Sequence, residues 1–127
     1  MEDIFDENLQ PQKVQKKLLE KNIQKTCIDF ARAKGCWVRK FSSPANRSVP
    51  DYLIAYIGDS GKHVKIAVEF KAPGKVSTKA QVEEQDLMEA AGWIVWRDIG
   101  TNGNDDIALF KRGIMDFFHR PLPKYPG

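Results

Sequence analysis

The segment Ile66-Ala67-Val68-Glu69-Phe70-Lys71 sets a carboxylate and an ammonium two positions apart in a run otherwise made of core residues. Side chains alternate between faces along a strand. Ile66, Val68 and Phe70 then take one face, and Ala67, Glu69 and Lys71 take the other. An edge strand with one solvated face would account for this by itself. The residues upstream argue otherwise. Asp51 to Ile57 and His63 to Lys71 both read as strands, with Gly58-Asp59-Ser60-Gly61 as the turn between them. A symmetric hairpin turning near Ser60 sets Asp51 opposite Glu69, with Cβ atoms roughly 5 Å apart. Two carboxylates at that spacing repel by about 3 kcal/mol at an effective dielectric of roughly 20. A divalent cation between the oxygens offsets the repulsion, and oxygen ligands are those that Mg²⁺ and Mn²⁺ prefer. A one-residue slip of the hairpin would instead put the two acids on opposite faces. Lys71 on the same face could hold a phosphate, orient an attacking water or stabilise developing negative charge. Two acids, a cation and a lysine together suit the hydrolysis of a phosphodiester bond.

These residues need elements to hold them. Lys13 to Lys34 has helical spacing, with Leu19, Ile23, Cys27 and Phe30 on one stripe, and Gly35 stops it. Cys36 to Phe41 can form a short strand, and Ser42 to Pro50 reads as a loop. Ala72-Pro73-Gly74 breaks the Glu69 strand. Lys79 to Ala91 is helical, Trp93 to Trp96 is another strand, and Asp105 to Phe118 has Ile107, Phe110, Ile114 and Phe117 at helical spacing. The expected order is α-β-β-β-α-β-α, a mixed α/β sheet covered by helices. Residues 1–12 read as a loose arm, 13–120 as one domain, and 121–127 as a Pro-rich tail.

The chain of 127 residues has the size of one domain and can bury a core without staples. It is 42% hydrophobic and 29% charged, which fits a globular protein. Its 20 Lys and Arg against 17 Asp and Glu give a net charge of +3, permitting a polyanion partner without demanding one. Cys27 and Cys36 form no C-x-x-C pair, and His63 and His119 lie far apart, so a zinc cluster is not expected. Cys27, in the apolar stripe, reads as a reduced core thiol. The acidic start MEDIFDENLQ is not a signal peptide, and no run reaches membrane-spanning length. A cytoplasmic protein without membrane association or nucleotide cofactor is expected.

Val49-Pro50-Asp51 followed by Glu69-Phe70-Lys71 reads as PD…ExK and resembles the PD-(D/E)XK nuclease superfamily. Ser48-Val49-Pro50-Asp51-Tyr52, then Glu69 to Ser77, Gln81 and Ala91-Gly92 narrow the resemblance to the virus-type replication-repair nuclease (VRR-NUC) family, over about Glu20 to Ile99. The resemblance implies a restriction-endonuclease-like fold and metal-dependent cleavage of DNA. It implies that Asp51, Glu69 and the backbone carbonyl of Phe70 ligate Mg²⁺ or Mn²⁺, with Glu20 as a further acidic position, and that Lys71 is catalytic. Gln81 matches the glutamine of the helix after the catalytic strand. Ser48 stands where the family usually has glycine.

Gln81 has a second role open to it, because Thr78-Lys79-Ala80-Gln81 fits a capping box. Glu20 could equally be a solvated helix glutamate. Trp93 and Trp96 fall on opposite faces of their strand, so at least one belongs in the core. Basic residues bracket the acids: Lys13, Lys16, Lys17 and Lys21, then Arg39, Lys40 and Arg47, with the hydroxyl of Ser48, before Asp51, then Lys75 and Lys79 after Lys71. They are candidate phosphate contacts. The expected function is a metal-dependent endonuclease selective for branched DNA such as flaps and Holliday junctions. It is expected to act as a homodimer, because one metal centre cuts one strand. The rivals are a non-catalytic nucleic-acid-binding module on the same fold, a sequence-specific restriction-type enzyme, and an assembly protein with a solvated acidic hairpin.

Overall fold

In a computed structural model, the structure describes residues 18–58 and 61–117, with the backbone alone at Phe117. The elements run α1 (Glu20–Ala33), β1 (Trp37–Lys40), β2 (Tyr52–Ile57), β3 (His63–Phe70), α2 (Lys79–Ala90), β4 (Ile94–Ile99) and α3 (Asn104–Phe117). This is the α-β-β-β-α-β-α order expected. The loose arm, Lys13, Lys16, Lys17, the centre of the hairpin turn and the Pro-rich tail lie outside the described residues. No helix among the described residues is long and apolar enough to cross a membrane.

The strands form one sheet in the order β1-β2-β3-β4. β1, β2 and β3 pair antiparallel, and β4 joins β3 in parallel after the α2 crossover. The hairpin register sets Tyr52 opposite Val68 and Ile57 opposite His63. It is the register that a symmetric turn near Ser60 predicts.

One face of the sheet carries Val38, Ile54, Ile66, Val68 and Phe70, all at most 3% exposed. α1 covers it with Ile23, Cys27, Ile28 and Ala31, and α3 with Phe110 and Ile114. Burying that apolar area is what holds α1 and α3 on the sheet. Trp96 joins this core, its ring meeting Phe110 edge-on with centroids 5.3 Å apart. Cys27 and Cys36 are free and buried, and burial pushes their thiols up to about 12 and about 11. The reduced core thiol expected at Cys27 is found.

Three boundaries depart from expectation. α1 starts at Glu20 and not at Lys13: Leu18 and Leu19 are not helical, and Leu19, 43% exposed, occupies the N-cap. Leu19 therefore leaves the apolar stripe. β2 starts one residue after Asp51, and β4 extends beyond Trp96 to Ile99. The longer β4 includes a bulge. β3 advances two residues and β4 three between the pairs Val68↔Trp96 and Phe70↔Ile99. Asp98 absorbs the extra residue with a φ of +54°, a conformation that Asp tolerates better than most side chains.

Candidate active site

The chemistry-bearing residues meet where β3 ends and the chain turns toward α2. The β2–β3 ladder stops at Tyr52↔Val68. Asp51 lies just outside it, its N–H donating to the Val68 carbonyl at 2.9 Å. Its Oδ2 accepts from the Phe70 N–H at 2.7 Å. Asp51 therefore reaches the last turn of β3 by bending out of the strand, not by sitting in a ladder pair with Glu69.

Glu69 is 2% exposed, so the face opposite the main core is not solvated at this point. Its Oε2 lies 3.4 Å from Lys71 Nζ and accepts from Gln81 Nε2 at 3.3 Å. Its Oε1 is buried with no hydrogen-bond partner among the described residues. Burial, then the charge of Asp51, raises the Glu69 carboxyl to about 7, against the opposing pull of Lys71. Burial chiefly raises Asp51 as well, and Glu20 adds to both shifts. An unpartnered, buried carboxylate oxygen next to a second acid is an unfavourable arrangement for a bare fold.

Gln81 closes the capping box and also touches Lys71 and Glu69. Its Oε1 accepts from the Thr78 N–H at 2.8 Å, and Thr78 Oγ1 accepts from the Gln81 N–H at 3.2 Å, closing the capping box. The same Oε1 accepts from Lys71 Nζ at 2.7 Å. The cap thus aims the amide, and the amide holds both Glu69 and Lys71.

Glu20 is half-buried at the first turn of α1, where its Oε2 accepts from Gln24 Nε2 at 2.9 Å. It acts on Asp51 and Glu69 through its field. Among the described residues no three of His, Cys, Asp or Glu converge tightly enough to hold a metal, so Glu20 does not close a three-acid cluster. Of the basic candidates, Lys40 and Arg47 line a recess of about 360 Å³ that Asp51 also lines. Lys40 rests over the Tyr52 ring, 5.1 Å from its centroid. Ser48 sits in the same loop, which Asn46 ties down by accepting from the Ser48 N–H and donating to Glu84 of α2. Lys75 and Lys79 are exposed at the approach to α2, and Lys21 is exposed on α1. Arg39 is set apart, on the sheet beside Trp37.

Sequence reasoning missed the polar network behind the site. Asp98 Oδ1 accepts from the N–H of Ser77 at 3.0 Å and from its Oγ at 2.5 Å. Fully buried Gln85 donates to Ser77 Oγ and accepts from Arg97, which also pairs with Asp86 and Glu89. Asp106 in turn accepts from the N–H groups of Gly100 and Asn102. Gly100 is needed where it stands: a Cβ there would lie 2.0 Å from the Lys71 carbonyl oxygen. Asp98 lies beyond the Trp93 to Trp96 run that reads as a strand, so no sequence signal pointed to it.

No family model matches the chain. By sequence it is 40% identical over 73 residues to the protein named "Putative nuclease p44" from Acyrthosiphon pisum secondary endosymbiont phage 1. The match spans 58% of this chain and 74% of that protein. A solved structure titled "VRR_NUC domain" superposes with a TM-score of 0.56 at 25% identity, over 71% of this chain and 94% of that one. Another, "VRR_NUC domain protein", is alike in fold, with a TM-score of 0.60 at 16% identity over 82% and 93%. Fold, PD…ExK residues and relatives define a nuclease of the restriction-endonuclease-like class. The chain belongs to the VRR-NUC family.

Proposed function

We propose that this nuclease is a divalent-metal-dependent DNA endonuclease, with Asp51, Glu69 and the Phe70 carbonyl holding Mg²⁺ or Mn²⁺ and Lys71 serving catalysis. The observation that carries this reading is the buried Glu69 Oε1 without a partner, beside Asp51. A cation there would satisfy that oxygen and offset the charge of both acids, and an all-oxygen donor set suits these ions. When bound, the ion would polarise a phosphoryl oxygen and lower the pKa of its water.

The chain's own groups do the positioning. Lys71 has three N–H donors. Gln81 accepts at 2.7 Å and Glu69 lies at 3.4 Å, which leaves a donor for a phosphate oxygen or an attacking water. Gln81 keeps the ammonium directed as the substrate charge changes. Glu20 adds negative charge beside the pair. Lys40, Arg47 and Ser48 on one side and Lys75 and Lys79 on the other hold the DNA backbone, with Lys17 and Lys21 extending the contact. The working unit is a single domain over residues 13–120, used as a homodimer on branched DNA in the cytoplasm of a bacterial or phage-infected cell.

The test is direct. Flap, fork, four-way junction, linear and closed circular DNA are incubated with the protein and Mg²⁺ or Mn²⁺, with EDTA controls. Internal cuts that require metal, and that favour the branched substrates, are expected. Cuts that persist in EDTA would refute the metal site. Equal cutting of linear and branched DNA would refute the structural selectivity.

A further inference from the structure

Among the described residues, the face of the sheet that carries Glu69 is only half covered. α2 packs over β4 and the end of β3, and reaches Glu69 through Gln81. The rest of that face belongs to β1, β2 and the start of β3. Pairing sets Trp37, Ala55 and Lys65 in one row and Arg39, Leu53 and Ala67 in the next, with Glu69 following on β3. Trp37 is 47% exposed, and the Arg39 guanidinium lies over its ring at 4.9 Å. A recess of about 640 Å³ opens here, and Trp37, Arg39, Ala55, Ile57, His63 and Lys65 are among its walls. Among the described residues its lining contains three nitrogen-bearing side chains besides the Trp37 indole, Arg39, His63 and Lys65, and no carboxylate.

Two kinds of surface could cover such a face. A second copy packed about a two-fold axis would set the patch against itself. The cations Arg39 and Lys65 of one copy would then face the same cationic patch on the other, which like-charge juxtaposition disfavours. A nucleic-acid strand matches the patch better. Phosphates complement the cations, and an unstacked base can lie on an indole or a guanidinium plane. The distance fits one continuous strand. Lys65 and Glu69 are four residues apart on β3, about 13 Å, and Trp37 lies two strands over, about 10 Å sideways.

We propose that the open half of the sheet, centred on Trp37, holds an unpaired stretch of the same DNA whose phosphodiester lies at the Glu69 end of β3; this rests on the nuclease reading above. Trp37 supplies the stacking surface, with Arg39 and Lys65 contacting the flanking phosphates.

The experiment measures binding by fluorescence anisotropy in a Glu69→Gln background, using a labelled single strand, a fork with unpaired arms and a blunt duplex. Trp37→Ala should weaken the single strand and the fork roughly tenfold and the duplex much less, since a stacked base contributes on that scale. Trp37→Phe should restore most of the loss. Lys65→Glu should weaken the same two substrates. Equal loss on all three substrates, or none, overturns the proposal while wild-type cleavage of DNA leaves the nuclease reading intact. Failure of the wild type to cut any substrate would sink that reading instead. Light scattering on Trp37→Ala closes the alternative: a halved particle mass would make this face a subunit contact and overturn the proposal.

Discussion

The two acids of the site are not equivalent. Asp51 accepts a hydrogen bond from the Phe70 N–H, whereas one oxygen of Glu69 accepts nothing from the described residues. Without metal, Asp51→Ala strands a buried N–H and should cost about 1–3 kcal/mol. Glu69→Gln keeps the partner of Gln81 while removing a buried charge, and should raise the melting temperature. Both should lose metal binding in a calorimetric titration, and Lys71→Ala should keep it while losing cleavage, because an ammonium opposes a cation. Unchanged Mn²⁺ binding in the acid variants would refute the ligand assignment.

The raised Glu69 carboxyl also has a sign. It titrates at about 7 when folded and near 4.3 when unfolded. Between those values the folded chain holds a proton that the unfolded chain has released. Stability is therefore fully present below the unfolded value and falls as pH rises through about 7. Metal-free protein should melt higher at pH 5 than at pH 8. Glu69→Gln should remove most of that difference, and an undiminished difference would assign it to another group.

Among the elements, α2 is the one that positions the site, and the Ser77–Asp98 pair anchors its start. Two properties of Asp98 can be separated: its positive φ and its acceptor oxygen. Asp98→Asn keeps both and should retain cleavage. Asp98→Gly tolerates the φ but removes the acceptor, and should lower kcat more than it raises KM. Equal activity in the two variants would show that the anchor does not matter.

The legibility of the elements follows the range of their causes. The hairpin register and the capping box could be read because each is set by residues close in sequence. The burial of Glu69 could not, because α2 covers it only through a crossover to a parallel strand. The start of α1 was misread because leucines continue the helical spacing past the point where the backbone leaves it. The bulge at Asp98 belongs to the β3–β4 pairing, which no local pattern encodes.

At the scale of the molecule, one domain brings one pair of acids. Two symmetric incisions at a junction need two such pairs, which a two-fold dimer supplies. The net charge of +3 gives one copy a modest hold on DNA. Light scattering with and without a four-way junction should show twice the monomer mass on the DNA. The salt dependence of binding should be steeper for the junction than for a single linear duplex, as more phosphates are contacted. A monomer that cuts linear duplex as readily as a junction would overturn this.

The double use of Gln81 narrows which of the twenty amino acids the position admits. Glutamate caps a helix as well as glutamine does, and in an isolated helix the two are interchangeable. Here it would bring another negative oxygen to Glu69 and exchange the amide N–H that Glu69 accepts for a lone pair. Asparagine keeps the amide but is one methylene too short to span from the Thr78 N–H to Lys71. Gln81→Glu should therefore leave the helix capped and the melting temperature within a few degrees of wild type, yet abolish cleavage. That outcome would leave the position little room for neutral drift, because the substitution that folding tolerates best would be one that the chemistry rejects.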